Sequence, residues 1–507
     1  MNLDRVLAER PARATVPQGP ADLVDAARAL LDAGYRLALV AGHDEGATLR
    51  VVYLFVDGPP DSRVELVVHL DAAAPRVPSL AALSFPAGRF ERELRDLFGV
   101  EPIDHPQPRA LVRHQHWPRD WHPLRRDAGP TPVLAEDGVP FPFAPVEGPG
   151  VYEIPVGPVH AGIIEPGHFR FWVVGETILK MKARLWFTHK GVERLFEGLD
   201  DEAAIALAER ISGDSAVGHS LALVLALEEA RGVAVGPEVR ARRATLLELE
   251  RLYNHVGDVG AMCNDVGFGL AHARTLVLRE ELLRLNESVT GHRLLRGAIG
   301  VGTTTLRAAP SIEQVADVVG RTHEVVALAR ANSIVSDRFT GTGVLSPARA
   351  REIGVLGVVA RASGLDLDAR VAHPFAPFDP LLVAHRDEGD VRARFDVRVD
   401  EIDAALTTLR ALTSPPDEPA TAAAHPDGHG ADGLGADGHG TGLVEGWRGT
   451  IAHRVQLAPD GSLARVKVVD PSFLTWPALS VALGDTIVPD FPLVNKSFNL
   501  SYAGNDL

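Results

Sequence analysis

The amino-acid sequence predicts an α+β protein: a small α+β N-terminal domain, then a mainly helical domain that carries small antiparallel sheets. Alternating apolar residues near the start are typical of half-buried strands. Helical periodicity dominates from about residue 201 to residue 412. Six prolines between residues 128 and 150 indicate a linker. We therefore divide the chain into residues 1–127, a Pro/Gly-rich linker at 128–150, and residues 151–507.

The first domain is predicted to combine one helix with two strands. Residues 21–33 place Leu23, Ala27 and Leu30 on one helical face. Residues 49–56 and 64–70 are rich in β-branched and large apolar residues, which favours strands.

The second domain is predicted to begin with an antiparallel pair of strands. A turn at Gly175 separates two segments in which apolar residues alternate. The alternating residues are Phe169, Phe171 and Val173 before the turn, and Leu179, Met181, Ala183 and Leu185 after it.

Two later segments complete the expected fold. Apolar residues recur with helical spacing between residues 246 and 259, which predicts the buried face of a helix. They are Leu246, Leu249, Leu252, Tyr253, Val256 and Val259. Residues 447–456 and 463–469 predict a hairpin, because residues 459–462 read P-D-G-S.

Residues 414–442 form a low-complexity insert of Gly, Asp, Ala, Pro and His. This composition cannot bury apolar surface, so we expect the insert to be disordered. It contains His425, His429 and His439. These histidines fit either a solvated linker or a weak trap for nickel or zinc, and the lack of a scaffold favours the linker.

Composition excludes several classes of protein. The net charge of −16 argues against nucleic acid or an anionic lipid surface as the main partner. The single cysteine, Cys263, cannot build an iron–sulfur cluster, a structural zinc site or an internal disulfide. It is expected to be an inert core thiol rather than a reactive one. Neither a signal sequence nor a membrane-spanning apolar run is recognisable, so we expect a cytoplasmic protein.

The first specific motif lies at residues 90–127. Residues 90–100 read F-E-R-E-L-R-D-L-F-G-V, His105-Pro106 follow, and residues 120–127 read D-W-H-P-L-R-R-D. This series resembles the C-type (30 kDa class) peripheral subunit of respiratory complex I. We expect its charged residues to form a charged helix end that serves docking and charge pairing, with Arg125 and Arg126 bridging to its carboxylates or to a neighbouring subunit.

A second series of motifs opens the next domain. Residues 157–170 read G-P-V-H, then E-P-G-H-F-R, and residues 187–194 read F-T-H-K-G-V-E-R. They are similar to the D-type (49 kDa class) subunit of complex I and to group 4 nickel-iron hydrogenase large subunits. The order of a C-type and a D-type part in one chain is that of formate hydrogenlyase and hydrogenase-4 large subunits.

The chain departs from the metal-binding pattern of that family at four positions. Residues 210–215 read R-I-S-G-D-S where nickel-iron hydrogenases have R-I-C-G-x-C, and the final segment places Ser501 and Gly504 where they have cysteines. Soft metals select thiolates over hydroxyls. We therefore expect no bound metal and no cofactor held by this chain. Since the sequence stops three residues past Gly504, we also expect no nickel-triggered removal of a C-terminal peptide.

The resemblance nevertheless implies a polar cavity. His168 matches a loop histidine of the quinone site and Glu193 matches a proton-relaying glutamate, so both are candidate catalytic residues. Candidate cofactor-binding residues are His160, His168, His219, Arg448 and Asp506. The family's quinone-binding tyrosine is replaced by Leu223, which cannot donate a hydrogen bond. These side chains form either a functional cavity or an ion-pair network that remained after the metal was lost, and His160 is favoured as structural.

The resemblance also implies the surroundings of the chain. It implies a [4Fe-4S] cluster in a partner small (complex I B-type) subunit, membrane-arm antiporter-like subunits, and a location peripheral to the inner face of the cell membrane. The resemblance to NADH dehydrogenase subunits also implies two further ligands, a quinone and NAD. The expected function is coupling of electron transfer to proton movement within an oxidoreductase complex. The alternative is a non-catalytic scaffold between the small subunit and the membrane arm.

Overall fold

The computed structural model describes residues 2–135, 140–160, 164–379, 381–413 and 438–507. Its architecture is α+β, as predicted, with an N-terminal part built on one sheet and a mainly helical remainder. Within these ranges no helix combines the length and the apolar character needed to cross a lipid bilayer.

The small domain is built on a four-stranded sheet with the order β1-β4-β3-β2. Strand β1 runs parallel to β4, and the other neighbours are antiparallel. The predicted helix and both predicted strands are present as α2, β3 and β4, whereas β1 and β2 were missed. The elements are α1 (Leu3–Glu9), β1 (Arg13–Gln18), α2 (Leu23–Asp32), β2 (Arg36–Asp44), β3 (Thr48–Asp57), β4 (Ser62–Asp71), β5 (Arg76–Pro78), α3 (Phe85–Phe98) and β6 (Glu101–Ile103).

The charged motif of helix α3 is buried. Glu91, Arg92, Glu93 and Asp96 all lie inside the protein. Asp96 accepts hydrogen bonds from three backbone N–H groups of residues 111–113. Each buried charge is tolerated because it has a specific partner.

Arg125 pairs with a different carboxylate from those expected. Its Nε lies 2.9 Å from Oδ2 of Asp44, at the end of strand β2, and not beside the carboxylates of α3. Arg125 therefore stabilises the small domain internally.

The large domain begins with an antiparallel sheet of three strands rather than two. It consists of β7 (Val151–Val156), β8 (His168–Val174) and β9 (Thr177–Arg184), in that order. A register shift between Trp172 and Val173 moves Ile178 into the core and leaves Leu179 45% exposed. The predicted alternation after the turn is therefore displaced by one residue at its start.

Helices form most of the large domain, as the periodicity predicted. All six residues of the predicted apolar stripe are buried on α7, which packs against α8 and α14. The helices are α4 (Val192–Leu195), α5 (Asp201–Ala208), α6 (Ala216–Arg231), α7 (Pro237–Asn264), α8 (Gly269–Thr290), α9 (Ile312–Ala331), α10 (Ser333–Phe339), α11 (Pro347–Ile353), α12 (Gly357–Ala362), α13 (Ala369–Ala372), α14 (Val391–Thr413), α15 (Pro471–Ala482), α16 (Phe491–Phe498) and α17 (Tyr502–Asp506). The short strands β10 (Ile299–Gly300) and β11 (Thr303–Thr304) form a small ladder among them.

Cys263 lies near the end of α7 and is buried. Burial raises the pKa of its thiol to about 12, so the thiolate is not formed at neutral pH. The expected inert core role fits this environment.

A second three-stranded sheet closes the large domain, and it corrects the predicted end of the insert. It contains β12 (His439–Gly446), β13 (Gly449–Leu457) and β14 (Leu463–Val469), and the hairpin of β13 and β14 was predicted. Residues 414–437 of the insert, with His425 and His429, lie outside the described residues. His439, however, is paired with Gln456 in the sheet.

Strand β12 is rich in glycine because it crosses helix α6 at very short range. A Cβ on Gly442 would lie 1.9 Å from the carbonyl oxygen of Ala222, and one on Gly440 would lie 2.2 Å from that of Ala226. A side chain at either position would collide with helix backbone. Composition alone does not distinguish such a strand from a flexible segment.

Buried ion pairs join the two domains. Arg454 of β13 donates two hydrogen bonds to Glu65 of β4, at 2.7 and 3.0 Å. Lys467 of β14 donates to Glu93 of α3 at 2.7 Å. These contacts place the small domain directly against the sheet that borders the candidate site.

Candidate functional site

Two serines that occupy expected thiolate positions bond to each other. Ser212 precedes α6, and Ser501 caps the N-terminus of α17 by accepting from the Gly504 N–H. Their Oγ atoms lie 2.8 Å apart and both side chains are buried. The serine turn at residues 210–215 and the final segment of the chain therefore meet at these two residues.

Arg448 lies beside the serines and is neutralised by Asp214. It donates two parallel hydrogen bonds to the Asp214 carboxylate, at 2.6 and 2.7 Å, and a third to the carbonyl of Asn499 at 2.6 Å. Its Nη1 also lies 3.3 Å from Oγ of Ser215. Burial opposes ionisation of Asp214, but Arg448 more than offsets it, so the Asp214 pKa lies below its ordinary value.

His219 is held in a buried chain of polar groups. Its Nε2 lies 3.0 Å from Oδ2 of Asp470, and its Nδ1 lies 3.0 Å from Nε2 of His453. Burial first, and His219 second, hold the pKa of His453 well below its usual range. Asp470 also accepts from the backbone N–H of Ser472, whose hydroxyl accepts from Ser501 N–H. The chain thus connects the serine pair with strand β13.

Glu250 is a titratable neighbour of the serine turn that the sequence patterns did not indicate. Its carboxyl accepts from the backbone N–H groups of Val217 and Gly218 at the start of α6, at 2.7 and 3.0 Å. Burial raises its pKa to about 8 in spite of these bonds, and Asp214 adds to the rise. A protonated carboxyl at neutral pH is therefore expected beside the turn.

Glu193 belongs to a separate cluster at the domain interface. It accepts from Arg465 at 2.6 Å and from the Val468 N–H at 3.1 Å, and it lies 3.0 Å from Nζ of Lys467. Burial opposes ionisation, but the two cations prevail and hold the Glu193 pKa well below its ordinary value. Glu193 is therefore ionised at neutral pH.

His168 and His160 lie apart from both the serine pair and the Glu193 cluster, next to the segment that connects β7 and β8. Nδ1 of His168 lies 3.0 Å from the Gly157 carbonyl, and Nε2 of His160 lies 2.8 Å from the Gly167 carbonyl. Both are bonded to backbone, with no contact to the serines. His168 is the first residue of β8 and packs edge-on against Phe143.

Asp506 stands between the clusters. Its carboxylate accepts from the backbone N–H and the hydroxyl of Thr188, at 3.0 and 2.8 Å. It lines, together with Glu193, a small cavity of about 30 Å³ between the domains. The structure therefore brings Arg448 and His219 to the serine pair, and Asp506 to Glu193, while His160 and His168 stand apart.

Comparison with known proteins defines the family. Residues 16–132 match the 30 kDa subunit of respiratory-chain NADH dehydrogenase, and residues 265–427 match its 49 kDa subunit. Formate hydrogenlyase subunit 5 of Escherichia coli is 31% identical over 454 residues, which span 87% of this chain and 78% of the relative. The chain belongs to this family of fused 30 kDa/49 kDa subunits.

Other members of the fused-subunit family have related names. Hydrogenase-4 component G of Escherichia coli is 29% identical over 489 residues, spanning 93% of this chain and 83% of the relative. The fused C/D subunit of the NADH-quinone oxidoreductase of Phocaeicola vulgatus is 29% identical over 412 residues, spanning 74% of this chain and 77% of the relative.

Similarity to solved structures supports the same fold, and one of the matching chains illustrates it. It is a chain of the membrane-bound sulfane sulfur reductase, an archaeal respiratory membrane complex, with a TM-score of 0.61 and 23% identity. The match covers 72% of this chain and all of that one. Relatives of this chain are thus subunits of respiratory and hydrogenase complexes.

The residues at the serine pair do not fit the nickel-iron centre that the family implies. Ser212, Ser215 and Ser501 offer hydroxyls in place of soft thiolates. At the fourth position, a Cβ on Gly504 would lie 2.5 Å from the carboxyl carbon of Asp470. Asp470 is fixed there by His219, so the space for a fourth ligand side chain is filled.

Gly504→Ala is expected to destabilise the protein by about 1–2 kcal/mol, because a fixed carboxylate occupies the space of the new methyl group. Gly213→Ala is the matched control in the same site, since a Cβ there would meet nothing within 4 Å. Thermal unfolding of both variants checks this expectation. Equal melting temperatures would show that Asp470 moves aside freely.

Proposed function

We propose that this member of the fused-subunit family works in the peripheral arm of a membrane-bound, complex I-like or hydrogenase-4-like oxidoreductase. It accepts electrons from a partner iron–sulfur subunit of the B type and couples them to proton movement, without a nickel-iron centre. Membrane-arm antiporter-like subunits are the further partners, and a quinone is the candidate electron acceptor to be tested. The observation that carries the proposal is the hydrogen bond between Ser212 and Ser501, which replaces a metal-ligand set with a paired hydroxyl site.

Titratable groups around that site support proton coupling. Glu250, with its pKa raised to about 8, and the buried pair of His219 and Asp470 adjoin the serine turn. A carboxyl such as that of Glu250, which changes protonation near neutral pH, suits proton transfer. Glu193 is ionised at neutral pH, so its part is to hold and orient its cationic partners, Arg465 and Lys467.

The proposal is tested on the assembled complex. The complex is purified by means of an affinity tag on this chain, and the tag is removed before the measurements. Oxidation of reduced methyl viologen by a water-soluble quinone analogue is expected, with nickel far below one atom per chain. Glu193→Gln should slow turnover while assembly is unchanged, because it removes the negative charge that holds and orients Arg465 and Lys467. Glu202→Gln, at an exposed position on α5, is the control and should retain full turnover.

Two results would contradict this function, and a third would contradict only the part given to Glu193. Stoichiometric nickel with hydrogen evolution would make the chain a metal-containing hydrogenase subunit. A complex with intact iron–sulfur clusters but no turnover would make it the scaffold between the small subunit and the membrane arm. Full turnover and full assembly of Glu193→Gln would remove Glu193 from the mechanism.

The scaffold function is supported by a different observation. Arg448 and Asp214 satisfy each other in a two-point ion pair, and Arg448 also bonds to Asn499 near the final segment. Such a pair joins three segments of the chain without leaving the guanidinium free for a ligand.

A further inference from the structure

Two glutamates from different domains share one lysine. Nζ of Lys467 lies 2.7 Å from Oε2 of Glu93 and 3.0 Å from Oε1 of Glu193. The side chains of Lys467, Glu93 and Glu193 are 3%, 9% and 5% exposed, respectively. Two carboxylates held this close on a single ammonium group in a dry environment repel each other, and this repulsion favours protonation of one of them.

The two carboxylates are unequally supported. Glu193 has Lys467, a second cation in Arg465, and the backbone N–H of Val468. Within the described residues, Glu93 has one hydrogen-bond donor, Lys467. Arg89, one helical turn away on α3, acts on Glu93 only through its charge. A carboxylate with fewer donors is the easier one to protonate.

The pKa shifts of the two glutamates also favour protonation of Glu93 over protonation of Glu193. Burial first, and the charge of Glu193 in addition, hold the pKa of Glu93 above its ordinary value, although Lys467 and Arg465 act against this rise. The pKa of Glu193 is held below its ordinary value by Arg465 and Lys467 against the effect of burial.

A route for proton exchange adjoins the pair. The cavity of about 30 Å³ between the domains is lined by both glutamates. That volume is enough for one or two water molecules, which need about 10–15 Å³ each. The other polar side chains that line it are His189, Arg194 and Asp506.

We propose that Glu93, contributed by the small domain, is the proton-exchange group of this interface. Its carboxylate takes one excess proton that cavity water carries in as hydronium, which leaves neutral water and a carboxylic acid, and the acid later returns that proton to the water. Lys467 stays charged and Glu193 stays ionised throughout. The inference deepens the proposed function and rests on it for the use of the proton, but the titration of Glu93 is a property of the chain itself.

Infrared titration of the full chain tests this assignment through the band of protonated carboxylic acids. We expect a buried acid band that grows as pH falls and that is absent in Glu93→Gln. In Glu193→Gln the same band should persist but appear at least one pH unit lower, because Lys467 then serves Glu93 alone. Glu93→Asp should keep the band at a changed frequency.

Glu91→Gln provides the control, because Glu91 is a second buried acid of α3, with its pKa raised to about 7 by burial. Its removal should delete a separate band and leave that of Glu93 unchanged. Loss of the Glu93-type band in Glu193→Gln, with persistence in Glu93→Gln, would assign the proton to Glu193 and overturn the inference. A spectrum identical in wild type and Glu93→Gln would overturn it as well.

These outcomes are distinguishable from failure of the proposed function. If the Glu93 band titrates but the assembled complex shows no turnover, the proton-exchange group stands and the oxidoreductase function fails. If turnover is present but the band does not depend on Glu93, the function stands and this inference fails.

Discussion

Lys467→Met is expected to lower the free energy of unfolding by about 3–5 kcal/mol, because it leaves two buried carboxylates without their common cation. Glu93 loses its one hydrogen-bond donor within the described residues, while Glu193 keeps Arg465 and the Val468 N–H. The double variant Lys467→Met/Glu93→Gln should recover a large part of that loss, since it removes the uncompensated charge. Chemical denaturation of the two variants provides the measurement.

The loss in free energy of unfolding caused by Lys467→Met should depend on pH in a defined direction. Burial already raises the pKa of Glu93, and removal of a neighbouring cation raises it further. A carboxyl whose pKa is higher in the folded than in the unfolded state loses stability as pH rises through the folded value. The deficit should therefore be larger at about pH 8 than at about pH 5. A deficit that grows on acidification would contradict this account of the interface.

Gly442→Ala is expected to destabilise the protein by about 3 kcal/mol, at the upper end of the usual range for overpacking. The added methyl group would lie 1.9 Å from the Ala222 carbonyl oxygen, so strand β12 and helix α6 must separate. Gly320→Ala is the control, because a Cβ at that exposed position on α9 meets nothing within 4 Å.

The control should change stability in the opposite direction. Alanine is a better helix former than glycine, so Gly320→Ala should stabilise the protein by about 0.5–1 kcal/mol. Thermal unfolding of both variants makes the comparison. A Gly442→Ala protein with wild-type melting temperature would show that β12 does not rest on α6 as described.

The sequence predicted those helices and strands whose buried residues recur at the period of the element itself. The apolar stripe of α7, the strands β3 and β4, and the hairpin of β13 and β14 were predicted because their burial repeats with the period of the element. Strand β12 was missed as a whole, and its residues 439–442 were assigned to the insert, because its glycines are required by contact with α6 and not by its own conformation.

The candidate site was predictable only in part. The serine positions and the final segment were recognised from a family resemblance, and the bond between Ser212 and Ser501 agrees with it. The burial of α3 was not predictable, since Glu93 and Lys467 are 374 residues apart in the sequence. A buried charged helix and an exposed one have the same composition until the partner residues are known.

The partnership of Arg448 with Asp214 was also missed. Arg448 was recognised as a site residue, but Asp214 carries its counter-charge. The available signal was an aspartate inside the turn that otherwise holds serines. Glu250 and Asp470 likewise become relevant only through neighbours from distant parts of the chain.

The buried charges between the domains also constrain how the sequence can diverge. Two ion pairs connect the domains: Glu65 with Arg454, and Glu93 with Lys467. In each pair the glutamate belongs to the small domain and the cation to the large domain. A change at one member alone strands its partner in a dry environment, whereas a matched change in the other half restores the balance. Substitutions at these positions in the two domains are therefore expected to occur together. A chimera that takes one domain from a distant relative needs charges at these positions that complement those of the other domain.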